Sequence, residues 1–248
     1  MDTGGKRALL ASVALGSIAA AFLVNPIPQD PGYHQFADQR TILGVPHFMD
    51  VASNVPFLVV GFYGLYNVLS RRDLHFPAPE ARGPWTLLAL AIVLTGCGSA
   101  YYHWAPSNAT LFWDRLPMAI GFSTLLGIMV LERVDRRRGR MLWLPLVLAG
   151  VGSLLYGRWR DDLRFYYLLQ AWAVLLVPLI LLLFPAPWTG TGALIEGLGA
   201  YAAAKVFELL DMGIWNLSRI LSGHTLKHLA AATGSWFLFV HLIRRRAT

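Results

Sequence analysis

The chain has one cysteine, Cys97, and few charges: only 14% of its 248 residues are Asp, Glu, Lys or Arg. A lone cysteine excludes an internal disulfide and a thiolate metal cluster, and its Gly-Cys-Gly-Ser setting in an apolar run assigns it to small-residue packing. No polar stretch is long enough to form a soluble domain between the apolar runs. Acidic residues are the scarcer sign, 14 against 21 basic, for a formal charge of +7. Such an excess can mark a nucleic-acid partner, but here the basic residues fall in short clusters between apolar runs. Membrane topology accounts for that pattern, and no nucleic-acid partner is expected.

The remainder is apolar: hydrophobic residues make up 56% of the chain and the mean hydropathy is +0.50. This composition predicts an all-α, polytopic transmembrane helix bundle, because helices satisfy their own backbone in hydrocarbon. Apolar runs lie at roughly 8–25, 49–70, 84–103, 109–131, 141–157, 165–184, 190–210 and 224–243. They predict eight spans. Those at 141–157 and 190–210 are short or glycine-rich, so seven is the alternative. The first run follows Lys6-Arg7 and can be read as a signal peptide, but it lacks a clear cleavage site after its apolar centre, which favours an uncleaved anchor. The whole chain, 1–248, is expected to be a single membrane domain, and its oligomeric state is left open.

Orientation follows from Lys and Arg counted on alternate sides. With the N-terminus inside, thirteen lie in inner segments, five in outer segments and three within spans. Both termini are therefore expected in the cytoplasm, and the bilayer is expected to be the plasma (inner) membrane.

Against this apolar background the polar residues inside spans stand out. Residues 99–114 hold Ser99 and His103, four apart on one helical face, and Asp114, about one and a half turns into the next span. Far along the chain, His224 and His228 are again four apart. The predicted topology puts all five in one layer near the outer boundary. Three imidazoles with an open fourth position form a usual catalytic zinc shell, with Asp114 as proton carrier and Ser99 as the hydrogen-bonding group beside it. The order His-Thr-Leu-Lys-His lacks the Glu of soluble zinc proteases, so the base must come from elsewhere. Simpler readings exist for each residue: an interfacial His103 bonding a carbonyl, His224 and His228 bonding across the bundle, and Ser99 bonding back to the carbonyl four residues earlier. A histidine-ligated haem or an ion-conducting protein is the alternative cofactor class. His34, His47, His75 and His241 are expected to be non-ligands.

Other polar groups frame this layer. Asp50, Ser53 and Asn54 sit near the outer end of the second span, with Asp50 and Asn54 on one face. The seventh span adds Lys205, Glu208 and Asp211, for which pairing or a supporting role at the site is expected. The segment 26–47, punctuated by Pro26, Pro28, Pro31, Gly32, Gly44 and Pro46, is expected to be an irregular loop over the outer mouth.

The chain resembles the alkaline ceramidases, part of a superfamily of seven-helix membrane hydrolases that includes the adiponectin receptors. The resemblance runs from about Phe36 to Arg246. It rests on Ala37-Asp-Gln-Arg40, Gly44-Val-Pro-His-Phe-Met-Asp-Val-Ala-Ser-Asn54, Gly98-Ser-x3-His103, Trp113-Asp-Arg-Leu-Pro-Met118 and Gly223-His-Thr-Leu-Lys-His-Leu-Ala-Ala231. It implies seven core helices over 49–243 with 8–25 as an additional N-terminal helix. It also implies zinc held by His103, His224 and His228, Asp114 and Ser99 as catalytic residues, and a membrane lipid amide such as a ceramide as substrate. A receptor-like member would keep the zinc without turnover. The animal enzymes carry an acidic calcium-binding cluster before the first core helix; here His47 replaces an acid at the end of the 26–47 loop, and only Asp30 and Asp38 precede it within that loop.

Overall fold

The computed structural model describes residues 1–77, 79–185 and 188–246. Its architecture is a bundle of long helices: α1 (Thr3–Leu23), the short α2 (Phe48–Ala52) running into α3 (Val55–Ser70), α4 (Arg82–Trp104), α5 (Asn108–Met129), α6 (Arg136–Arg160), α7 (Arg164–Leu183), α8 (Thr191–Leu209), the short α9 (Asp211–Ser218) and α10 (Gly223–Arg244). Among the described residues, seven segments are long and apolar enough to cross a membrane, α2 and α3 counting as one. The eighth long helix, α8, carries Glu196, Lys205 and Glu208 and packs more extensively on α10 than any other helix does. The weak run at 141–157 becomes α6, 25 residues long.

Two expectations need correction. Cys97 is exposed, in an apolar groove lined by Tyr101, Trp113 and Pro117, so it does not fill a helix contact. Its neighbour Gly98 does: a Cβ there would lie 2.2 Å from the Trp113 carbonyl oxygen. That carbonyl is the one whose helical partner is missing, because Pro117 has no N–H to return to it. Asp211 also lies beyond the seventh span, since α8 stops at Leu209 and Asp211 opens α9.

The second span is interrupted. Pro56 cannot donate to Ala52, and the chain turns at Ser53 and Asn54 before the helix resumes at Val55. The core cluster, with Trp85, Leu88, Ile92, Leu126, Val177 and Phe239, fills the middle of the bundle. At the end away from the histidines, a π-helical turn (Val130–Val134) presents Glu132 to Arg245, which is 1% exposed; the two are 2.5 Å apart. Trp85 Nε1 donates to the same carboxylate, joining α4, α5 and the end of α10. Helix α1 buries no residue of its own and lies along α7, where Trp172 Nε1 donates to Ser17 Oγ.

Candidate metal centre

The last turn of α4 and the first two turns of α10 bring His103, His224 and His228 together. Their ring centroids are 4.8, 4.8 and 4.9 Å apart, one nitrogen from each ring lies within 4.8 Å of the others, and all three are buried. The Nε2 atoms of His103 and His224 are 3.2 Å apart. Tetrahedral coordination at zinc–nitrogen lengths of about 2.0–2.1 Å spaces two ligand nitrogens by about 3.3 Å, so this pair fits a shared zinc.

Hydrogen bonding sets the outward face of His228. The Ser53 hydroxyl donates its only proton to the Asp50 carbonyl, at 3.1 Å, so the 2.8 Å contact with His228 must run from Nδ1–H to Ser53 Oγ. The lone pair of His228 is then on Nε2. His103 has no comparable support, for its buried Nδ1 lacks a partner. Packing holds that ring instead, between Phe36 at 4.6 Å and Tyr102 at 4.9 Å.

The start of α10 is pinned from three directions. Ser222 caps the helix through the Thr225 N–H, and Asp50 Oδ1 accepts from Thr225 Oγ1 at 2.8 Å and Ser222 Oγ at 3.3 Å. Asp211 Oδ1 accepts from the His224 N–H at 2.8 Å, while its other oxygen accepts from the Ala37 N–H at 3.1 Å. Only a glycine fits at 223, where a Cβ would lie 2.2 Å from the Phe207 carbonyl oxygen.

Ser99 and Asp114 meet where Gly98 lets α4 and α5 approach. Ser99 is buried at that contact and Asp114 is half-buried. Both line a cavity of about 250 Å³ with His228, Lys227 and Glu208. His228 thus belongs both to the histidine cluster and to the cavity that Ser99 and Asp114 line. The other four histidines are elsewhere engaged: His34 with Tyr102 and Asn108, His47 with the Asp38 carbonyl, and His241 with the Gly190 carbonyl, while the His75 carbonyl accepts from Arg245. Among the described residues, the trio is the one His, Cys, Asp or Glu cluster arranged to hold a metal.

The loop 26–47 covers the site as expected. Its Phe36 ring lies 4.6 and 4.8 Å from the rings of His103 and His224 and is 3% exposed, a close roof that no spacing in the sequence announces. Asp38 is held by Arg40, at 2.6 Å, and the guanidinium beside it keeps its carboxyl below the ordinary carboxylate range despite burial. Also unanticipated is Lys227, between the paired histidines. Its Nζ is 2.7 Å from Glu208 Oε1 and 3.4 Å from His224 Nε2.

Residues 44–241 match the family described as Ceramidase. The chain belongs to the ceramidase family. No curated protein matches it. Membership makes it a ceramidase-type hydrolase of the membrane, with a membrane lipid as its class of substrate. The matched segment contains every residue of the histidine cluster together with Ser99 and Asp114, whereas Tyr33, Phe36 and Asp38 precede it. The Phe36 roof over the histidine cluster of this ceramidase-family chain thus comes from outside the matched region.

Proposed function

We propose that this chain is a zinc-dependent amidase that hydrolyses the amide bond of a ceramide-like lipid, releasing a fatty acid and a long-chain base. The observation that carries this reading is the convergence of three buried imidazoles beside a cavity that Ser99 and Asp114 also line. His103, His224 and His228 would hold the metal. Bound there, zinc supplies a Lewis acid for the amide carbonyl and makes a nucleophile of water at neutral pH.

The protein's own groups do the rest. Asp114 takes a proton from the attacking water and delivers it to the leaving nitrogen, so the C–N bond breaks as hydroxyl adds to the acyl carbon. Ser99, against Asp114, orients that carboxylate and offers a hydrogen bond to the carbonyl oxygen as it gains charge. The acyl chain has a route: the reactive cavity shares Phe57, Thr95, Met118 and Ala231 with an apolar cavity of about 120 Å³. This in turn shares Phe122, Leu125, Tyr201 and Leu238 with another of about 100 Å³. Phe36 closes the direct path to the histidines from above, so lipid and water reach the cavity from the side.

The chain is read as one membrane domain, in the plasma membrane, with both termini cytoplasmic and the site in the outer half of the bilayer. The excess of basic residues in the segments assigned to the inside supports this.

Metal analysis and lipid assays on purified protein test the function. Asp114→Asn is expected to keep bound zinc while lowering turnover at least about 10²-fold, and His228→Ala to lose the metal. Loss of zinc from Asp114→Asn with residual hydrolysis unchanged would contradict the assignment.

A further inference from the structure

Three cationic side chains line the reactive cavity, Arg115, Lys205 and Lys227, against two carboxylates, Asp114 and Glu208. The two lysines share one partner: Lys227 Nζ is 2.7 Å from Glu208 Oε1, and Lys205 Nζ is 2.9 Å from Glu208 Oε2. Arg115 is 5% exposed and among the described residues has no carboxylate within 4.0 Å. Its neighbours are the Gln29 side-chain oxygen, at 2.7 Å, and the rings of Tyr33 and Tyr166, 5.0 and 5.3 Å from the guanidinium carbon. An amide oxygen and two ring faces solvate a guanidinium but do not neutralise it. A buried charge within a span ordinarily has an opposite charge beside it. The lining therefore carries one positive charge in excess, before any metal is added.

The cavity is also polarised along its length. Arg115 forms part of the wall between it and an outer crevice of about 420 Å³ that holds Gln29, Asn108 and Arg158. At its other end, Phe57, Met118 and Ala231 lead into the apolar cavities. An acyl chain belongs at the apolar end, which leaves the amine half of the amide toward Arg115 and the lysines.

We infer that the amine half of the preferred substrate bears an anionic group, a carboxylate or a phosphate, held by Arg115 and Lys227. This rests on the lipid-amidase reading and narrows its substrate class. The hydroxyls of a neutral ceramide can accept hydrogen bonds from these cations but leave the excess charge uncompensated. An anionic oxygen adds charge-assisted hydrogen bonds, worth about tenfold in affinity or more.

The test uses the full-length, zinc-loaded protein and three amides of one acyl chain: ceramide, ceramide 1-phosphate and the N-acyl derivative of glycine. One of the anionic amides should be cleaved with kcat/KM at least about tenfold above ceramide, and which one it is separates phosphate from carboxylate. Arg115→Gln and Lys227→Met should each lower that preference by about tenfold, and Arg115→Lys should retain most of it. The preference is a ratio within each variant, so a general loss of folded protein cancels. In parallel, thermal unfolding of chelator-treated wild-type protein should show greater stabilisation by the anionic amides than by ceramide. Equal cleavage and equal stabilisation across the three would overturn the inference and leave a neutral-lipid amidase standing. Cleavage of none would count against the amidase itself, and the stabilisation ranking would still decide whether the cavity selects an anion.

Discussion

The His228–Ser53 contact illustrates how much of the centre depends on one hydroxyl outside the histidine set. Ser53 is buried and its proton is committed to the Asp50 carbonyl, so it acts on His228 as an acceptor and fixes which ring nitrogen is free. Ser53→Ala should weaken zinc binding about 10–100-fold, read by competition with a chromophoric chelator, while leaving the helix content intact. Unchanged affinity would mean that packing alone orients the ring. A second single-residue effect lies away from the site, between α6 and α7. The Arg164 guanidinium beside Asp162, together with the backbone N–H groups of Arg164 and Ile27, holds that carboxyl down to about 2 from the ordinary 3.8. A carboxylate whose pKa falls on folding stabilises the native state fully above the unfolded value, and this is lost as pH falls through the folded one. Acid unfolding followed by circular dichroism should therefore be less steep between pH 3.8 and about 2 in Asp162→Asn than in the wild type.

Ser99 and Asp114 depend on how closely two helices can run. Gly98 on α4 faces the Trp113 carbonyl on α5, the one left free by Pro117, and the residue after each is Ser99 on one helix and Asp114 on the other. Gly98→Ala must push the helices apart, because the added Cβ would meet backbone at 2.2 Å. The expected cost is about 1–3 kcal/mol of stability with a larger loss of turnover than of zinc, measured by thermal unfolding and hydrolysis in the same detergent. Gly152→Ala on α6 is the control, since nothing lies within 4 Å of a Cβ there and its stability should be unchanged or slightly raised. Equal behaviour of the two variants would remove the close approach as the cause.

For the assembled bundle the decisive question is which way it faces. If the basic clusters lie inside, the α4–α5 turn is extracellular and the segment opening α6 is cytoplasmic. A cysteine at Ser107 would report on that turn, but Ser107 is the N-cap of α5, its hydroxyl accepting from the Thr110 N–H, so the exposed Ala109 is the better position. In a Cys97→Ser background, Ala109→Cys should react with an impermeant maleimide on intact cells and Arg138→Cys should not. The reverse pattern would invert the topology and place the histidines near the cytoplasm.

The number of long helices and their bounds to within a few residues were legible in the sequence, because membrane spans declare themselves through length and apolar content alone. So was the clustering of His103, His224 and His228, because imidazole side chains are rare enough in apolar runs to stand out, and i, i+4 spacing assigns His224 and His228 to one face. The helical break at Ser53–Asn54 was not anticipated, although Pro56 signals it. Contacts between segments distant along the chain are another matter. Phe36 over the histidines, Asp211 on the His224 N–H, Lys227 on Glu208, and Arg115 between Gln29 and two tyrosines join residues that no periodicity relates. Local spacing specifies a side chain's helical face, but which face meets which is settled only when the helices pack and the loop 26–47 folds over their ends.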